Sequence, residues 1–330
     1  MRVLHVYQDF HPRRGGIEDF LLELATQMSA TTEQIVLTAN TSPSTHVETV
    51  RGVRVIRAAS FGRYYTPFCP TWPLWIRHTA PDVVHVHLPC PMAELAALVA
   101  RPRRLIVSLH NDYVKPEGFV GAWGPFHRAT LARATRIVVS SAEYGATSPP
   151  LRALGREPDG TGGRTVAIPY GVSPSDPASR PPATDRVRRR YAPPLVVFLG
   201  RLCYYKGLEV LIEAAHSVAA TCLIIGDGPL RRELEGQAAG TENVHFLGAL
   251  PEDEAIAHLF AADVFVLPST YRSEAFGIAQ LKAMACGVPV VTTDLPGVAW
   301  VNRHGETGLT VPPNDSHALA TALNSLLSDG

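Results

Sequence analysis

At 330 residues the chain is long enough for two domains, each burying its own core. Hydrophobic side chains at 46% against 18% charged exclude a disordered polymer, and the balance of 30 Lys+Arg with 30 Asp+Glu removes any case for a nucleic-acid partner resting on bulk charge. The five cysteines (Cys69, Cys90, Cys203, Cys222, Cys286) are scattered, so neither a disulfide framework nor a paired-cysteine metal site is implied and a reducing compartment is expected.

The chain opens on Met1-Arg2-Val3-Leu4-His5-Val6-Tyr7, which reads as a buried strand, too short and too soon polar for a signal peptide. No run approaches ~20 apolar residues, so a cytoplasmic protein is expected, with at most a peripheral contact at the inner face of the membrane. In the first half, β-branched runs predict strands over Val3–Tyr7, Gln34–Thr38, Val53–Arg57, Val83–His87, Leu105–Leu109, Arg136–Val139 and Thr165–Ile168. Helical spacing falls over Ile17–Met28 and Ala93–Val99. The rhythm restarts with strands at Leu195–Leu199, Cys222–Ile225, Val244–Phe246, Val264–Leu267 and Val288–Thr292, and with helices from Leu208, Pro229, Glu252, Phe276 and Asp315. This alternation predicts an α/β fold of two Rossmann-like domains built on parallel sheets.

Between the halves, residues 173–194 are dense in proline and arginine without a period, which reads as a linker; 155–164 reads as a surface loop. The basic clusters Arg101-Pro102-Arg103-Arg104 and Arg186 to Arg190 read as solvated or linker arginines, with a membrane-surface patch as the alternative. Two such domains set strand carboxyl ends face to face, so the cleft between them is the expected site.

The polar residues gather at predicted strand ends. Gly15-Gly16 opens the first helix, as a plain turn or as a phosphate or acceptor contact. Arg201 and Lys206 flank the loop after the strand at Leu195–Leu199, where a guanidinium fork and an ammonium would clamp a diphosphate. Gly226-Asp227-Gly228-Pro229 lacks a third glycine and reads as a turn near a nucleotide base. Glu274 sits on a loop that supports no core; it would cap the next helix or accept bonds from sugar hydroxyls, with the amides of Gly277 and Ile278 facing phosphate. His110, Asn111 and Asp112 follow the strand at Leu105–Leu109. His85 and His87 share one strand face, for packing or acceptor contact rather than metal, since no third ligand of suitable spacing accompanies them.

In order, Gly15-Gly16-Ile17-Glu18, His110-Asn111-Asp112, Ile168-Pro169-Tyr170-Gly171-Val172, Gly200-Arg201, Lys206-Gly207, Gly226-Asp227-Gly228-Pro229 and Ser273-Glu274-Ala275-Phe276-Gly277 resemble family 4 of the retaining glycosyltransferases. The wording from Tyr271 to Gly277 is similar to that of bacterial polysaccharide and O-antigen mannosyl- or rhamnosyltransferases. The resemblance implies the GT-B fold, an acceptor-binding domain over 1–172 and a nucleotide-sugar-binding domain over 195–330. It implies no cofactor and no metal, a nucleotide-diphosphate sugar as donor, and a glycan, lipid-linked or small-molecule acceptor. His110 and Glu274 would be catalytic. Gly15, Gly16, Arg201, Lys206, Gly277, Ile278 and Lys282 would bind donor, and Asn111, Asp112 and His87 the acceptor.

Two departures stand against the resemblance. The family has a second Glu eight residues after the first, on the nucleotide ribose; here the position is Lys282, which can only donate. Family members also continue past the last helix and cross back to the first domain, whereas this sequence ends at Asp329-Gly330. Both leave room for a rival that binds a sugar nucleotide or a partner without turnover, and a nucleotide-sugar epimerase of the same architecture is a second. A dinucleotide oxidoreductase is remote, because neither half carries a complete glycine fingerprint.

Overall fold

A computed structural model describes residues 1–62, 67–158, 163–172 and 180–328. The chain divides into two compact units, Met1–Pro169 and Tyr170–Gly330. Residues 159–162 of the expected surface loop, 173–179 of the expected linker, and Asp329-Gly330 lie outside the described residues.

Unit 1 runs β1 (Arg2–Val6), α1 (Gly16–Met28), β2 (Glu33–Ala39), β3 (His46–Val50), β4 (Val53–Ala58), α2 (Trp72–His78), β5 (Val83–Leu88), α3 (Pro91–Ala100), β6 (Leu105–Leu109), α4 (Glu117–Arg133), β7 (Arg136–Val139), α5 (Ala142–Thr147), α6 (Pro149–Ala153) and β8 (Thr165–Ala167). Its sheet has the order β3-β4-β2-β1-β5-β6-β7-β8, parallel except for β3, which pairs antiparallel with β4. Strand order reverses between β1 and β5, where His5 stands opposite His85.

Unit 2 runs α7 (Ala183–Arg190), β9 (Leu195–Leu199), α8 (Leu208–Ala215), β10 (Thr221–Ile225), α9 (Arg231–Gln237), β11 (Val244–Gly248), α10 (Glu252–Ala261), β12 (Val264–Leu267), α11 (Ile278–Ala285), β13 (Val290–Thr293), α12 (Pro296–Val301), β14 (Gly308–Val311) and α13 (Ser316–Ser328). Its parallel sheet has the order β11-β10-β9-β12-β13-β14 and reverses between β9 and β12. Val196, Val197, Phe198, Phe265 and Val266 are fully buried there, as strands covered on both faces must be; each such large side chain contributes roughly 1.5–3 kcal/mol. Ligands of such sheets bind beyond the strand carboxyl ends at the reversal, so Leu199 and Leu267 mark one edge of interest and Val6 and Leu88 the other.

The expected linker is corrected over its second part. Residues 183–190 form α7, which packs on α10 through the buried Thr184 and Val187. Its arginines are tied to acids of the same unit: Arg188 to Asp263 at 2.9 Å and Arg186 to Glu254 at 3.7 Å. Eight residues with only Ala183 and Val187 apolar are too few to show a period. Among the described residues, no helix is long and apolar enough to cross a membrane.

Candidate active site

In unit 2, β9 delivers Arg201 and Lys206, and β12 delivers the loop to Glu274. Lys206 Nζ donates to Glu274 Oε2 at 2.5 Å, and both residues are 8% exposed. Ser269 Oγ donates to the same carboxylate oxygen at 3.2 Å, while the Ser269 carbonyl accepts from Thr293 Oγ1 at 2.7 Å. The Thr270 amide donates to the Tyr205 carbonyl at 2.9 Å, joining the loops of the two strands. Glu274 is therefore not a free loop carboxylate, and the expectation that it supports no core is corrected: it neutralises an otherwise buried ammonium. Arg201 is exposed at the same edge.

The helix expected from Phe276 begins at Ile278. Gly277 is its N-cap in the left-handed region (φ 75°), and a Cβ there would stand 2.6 Å from Leu267 Cδ2. Glycine lets the chain turn sharply off β12 and aim the first-turn amides of α11 past the strand end. Phe276 is instead buried, edge-on to Tyr170. The helix expected from Pro229 begins at Arg231. The turn before it holds backbone: a Cβ on Gly226 would lie 1.9 Å from the Gly200 carbonyl oxygen, so this turn packs directly beneath Gly200-Arg201. Burial pushes the Cys203 thiol up, which keeps it from serving as a thiolate nucleophile at neutral pH.

In unit 1, Gly15 is the extended N-cap of α1 and Gly16 its first residue. His87 and His110 are buried, and His87 Nδ1 lies 2.9 Å from His110 Nε2. His87 Nε2 lies 3.0 Å from His5 Nδ1, and His5 Nε2 lies 2.8 Å from Gln34 Oε1. His85 meets Ser108 Oγ at 2.8 Å. Phe20 of α1 stands edge-on to His110, 5.4 Å between ring centroids. The expectation that no third ligand accompanies His85 and His87 is corrected, because His5 of β1 brings a ring nitrogen within 4.8 Å of theirs. The missed signal was phase: Val3 and His5 share one face of β1, and register sets that face beside His85 and His87. Burial lowers the His5 pKa to about 4 and the His110 pKa to about 3, and it lowers His87 well below the usual range. These rings are neutral at neutral pH. Asp112 is buried and engaged structurally, accepting from Ser148 Oγ at 2.8 Å while its amide donates to the Tyr144 hydroxyl at 2.7 Å; Asn111 is half-buried.

Residues 14–176 match a family model described as Glycosyltransferase Family 4, and residues 193–329 match one described as Glycosyl transferases group 1. The chain is 34% identical to the D-rhamnosyltransferase WbpZ of Pseudomonas aeruginosa, over 99% of this chain and 86% of that protein. It is 31% identical to the O-antigen chain mannosyltransferase C of Escherichia coli, over 99% of this chain and 88% of that protein. The chain belongs to the family 4 glycosyltransferases. Among solved structures, sucrose-phosphate synthase from Thermosynechococcus elongatus superposes with a TM-score of 0.82 at 23% identity, covering 99% of this chain and 90% of that one, a likeness of fold. As a GT-B glycosyltransferase, the protein is an enzyme, and neither the binding-only reading nor the epimerase reading is favoured by these relatives.

Lys282 stands one turn into α11 of this glycosyltransferase, and its Nζ donates to Glu252 Oε1 at 3.1 Å, with the two side chains 27% and 51% exposed. A pair so exposed contributes only about 0–1 kcal/mol. It nevertheless sets a carboxylate beside the position where the family carries one. Lys282→Glu alone would place two carboxylates together, whereas Glu252→Lys with Lys282→Glu exchanges them and restores an acceptor at 282. We expect the double variant to bind ribonucleotide donors about 1–3 kcal/mol tighter than the parent, and the single variant to gain less. Calorimetric titration checks this; equal affinities for parent and double variant would mean that position 282 does not meet the ribose.

Proposed function

We propose that the enzyme moves a mannose- or rhamnose-like hexose from a nucleotide-diphosphate sugar to a glycan or lipid-linked acceptor, with retained anomeric configuration and without metal or cofactor. The observation that carries this reading is the Lys206–Glu274 pair at the β9/β12 reversal, a cation and a carboxylate side by side at 2.5 Å. A departing diphosphate would draw Lys206 and Arg201, and Glu274 would turn its oxygens to hydroxyls of the sugar. The bond from the anomeric carbon to the phosphate oxygen breaks with its electron pair on the phosphate. The acceptor oxygen bonds to the anomeric carbon on the same face, and its proton passes to the leaving phosphate. Two protein cations supply the charge neutralisation that a metal provides elsewhere. In unit 2 the Gly277 and Ile278 amides and Lys282 complete the donor contacts. In unit 1 we assign Gly16 to the donor and Asn111 to the acceptor, while His87 and Asp112, buried with polar atoms engaged by His5 and His110 and by Ser148, support those positions. A lipid-linked acceptor would bring the protein to the cytoplasmic face of the membrane as a peripheral enzyme, for which the exposed Arg101, Arg103 and Arg104 are suited.

The test is turnover across UDP-, GDP- and dTDP-linked mannose and rhamnose in the presence of EDTA. Release of nucleoside diphosphate that depends on an added acceptor supports the proposal. Release or epimerisation without acceptor, or dependence on added Mg²⁺ or Mn²⁺, sinks it. Arg201→Ala should weaken a nucleoside diphosphate by ~1.5–3 kcal/mol more than the nucleoside, because a charge-assisted bond serves only the phosphates. Equal losses in paired titrations would place the guanidinium elsewhere.

A further inference from the structure

The imidazoles of unit 1 continue a hydrogen-bonded chain whose direction is set at its far end. The Met28 carbonyl can only accept, and it takes the Thr32 hydroxyl proton at 3.1 Å. Thr32 Oγ1 then accepts from the Gln34 amide nitrogen at 2.5 Å, which leaves the Gln34 carbonyl oxygen facing His5. That oxygen also only accepts, so His5 Nε2 carries the proton and His5 Nδ1 is a lone pair. Each neutral ring passes the same polarity onward. His87 Nε2–H donates to His5 Nδ1, and His110 Nε2–H donates to His87 Nδ1.

We propose that this chain holds His110 as its Nε2–H tautomer, so that His110 Nδ1 can act only as an acceptor toward a hydroxyl, with His87, His5 and Gln34 as positioning residues. Burial of the three rings favours their neutral forms, as the chain requires. A shared metal is a poorer account of the cluster. Two nitrogens on one tetrahedral zinc at ~2.0–2.1 Å lie about 3.3 Å apart, whereas His5 Nδ1 and His87 Nε2 approach to 3.0 Å, a proton-sharing distance. A ring fixed in this way offers only a lone pair at Nδ1, which favours a proton donor such as a hydroxyl at the atom it meets and repels another acceptor. Only the identity of that hydroxyl, on a sugar substrate, rests on the glycosyl-transfer reading; the tautomer does not.

The experiment is long-range ¹H–¹⁵N correlation spectroscopy of the full chain labelled at histidine, with signals assigned by single substitutions. Near neutral pH, His5, His87 and His110 should each show a protonated Nε2 and a bare Nδ1. His110 found as Nδ1–H, as an imidazolium or as a metal ligand overturns the proposal. In Gln34→Leu, which removes the polarising end without touching His110, the His110 signals should shift toward a mixture of tautomers. An unchanged pure tautomer in that variant means the chain does not set it, and also overturns the proposal. With a donor in hand, His87→Leu should lower kcat by at least about tenfold with KM little changed, and His87→Gln, which can accept from one neighbour and donate to the other, should recover most of that loss. A failure of glycosyl transfer would appear as no turnover in any form while leaving the spectra as stated, so the two failures are distinguishable.

Discussion

Glu274→Gln is expected to lower turnover by ~10²–10³ in protein that still folds, the loss typical of removing one preorganised polar group from a charged transition state. The choice of glutamine follows from the burial of the pair. Lys206 is 8% exposed and donates to Glu274 Oε2, so Glu274→Ala would leave a buried ammonium without its counter-charge, at a cost of about 3–5 kcal/mol. An inactive alanine variant would then confound chemistry with unfolding. Glutamine also gives up the charge, but it keeps the shape and one acceptor oxygen for Lys206 and Ser269, so its stability cost should be the smaller of the two. A further variant separates the roles: Lys206→Met with Glu274→Leu replaces the ion pair with apolar volume and should restore much of the stability but none of the activity. Calorimetry and turnover on the same preparations check both statements. Full turnover in Glu274→Gln would remove Glu274 from the donor site.

The fold was legible where burial dictates composition. The runs at Leu105–Leu109, Arg136–Val139, Leu195–Leu199 and Val264–Leu267 are apolar but for Ser108 and the exposed Arg136, and the structure has strands with those bounds. What the sequence concealed are elements whose local signals run against their state. Helix α4 carries Gly118, Gly121, Gly124 and an internal Pro125, all unfavourable to helix. It forms because the wholly buried Glu94 carboxylate of α3 accepts from Trp123 Nε1 at 2.6 Å and from the Tyr113 hydroxyl at 2.9 Å and meets His127 Nδ1 at 2.6 Å. No local pattern announces a carboxylate whose partners lie 19 to 33 residues away. Strand β3 turns back into β4 through Arg51 and Gly52, both with positive φ, where an Asn-Gly pair would have given the turn away. In the site, the sequence ordered Arg201, Lys206 and Glu274 along two strand ends, and the fold joins them at one sheet reversal. The contribution of His5 was invisible, because contact across a parallel sheet depends on register rather than on spacing.

Acid should destabilise unit 1 steeply, beginning near the ordinary histidine pKa. His5, His87 and His110 are neutral in the native state, with pKa values lowered by burial to about 4 for His5 and about 3 for His110 and well below the usual range for His87. In the unfolded chain each returns to 6.5. Between the native and unfolded values the unfolded state therefore binds more protons than the native one, so stability rises with pH in this window and is lost as pH falls below 6.5. Three such rings give a slope approaching three protons, about 4 kcal/mol per pH unit once the unfolded rings are charged. Between pH 6.5 and about pH 5 this amounts to roughly 5 kcal/mol, of the order of a domain's whole stability. Partly buried His85 moves in the same direction and adds to the slope. Three of the four tryptophans, Trp72, Trp75 and Trp123, belong to unit 1, so denaturant titrations followed by tryptophan fluorescence report chiefly on it. His5→Phe should lower the measured slope by about one proton, because the unfolded chain then loses one of the sites that the native state refuses to fill. A slope of one proton or less in the parent protein would mean that these rings are hydrated or charged in solution, and a directed chain of neutral imidazoles could not then exist.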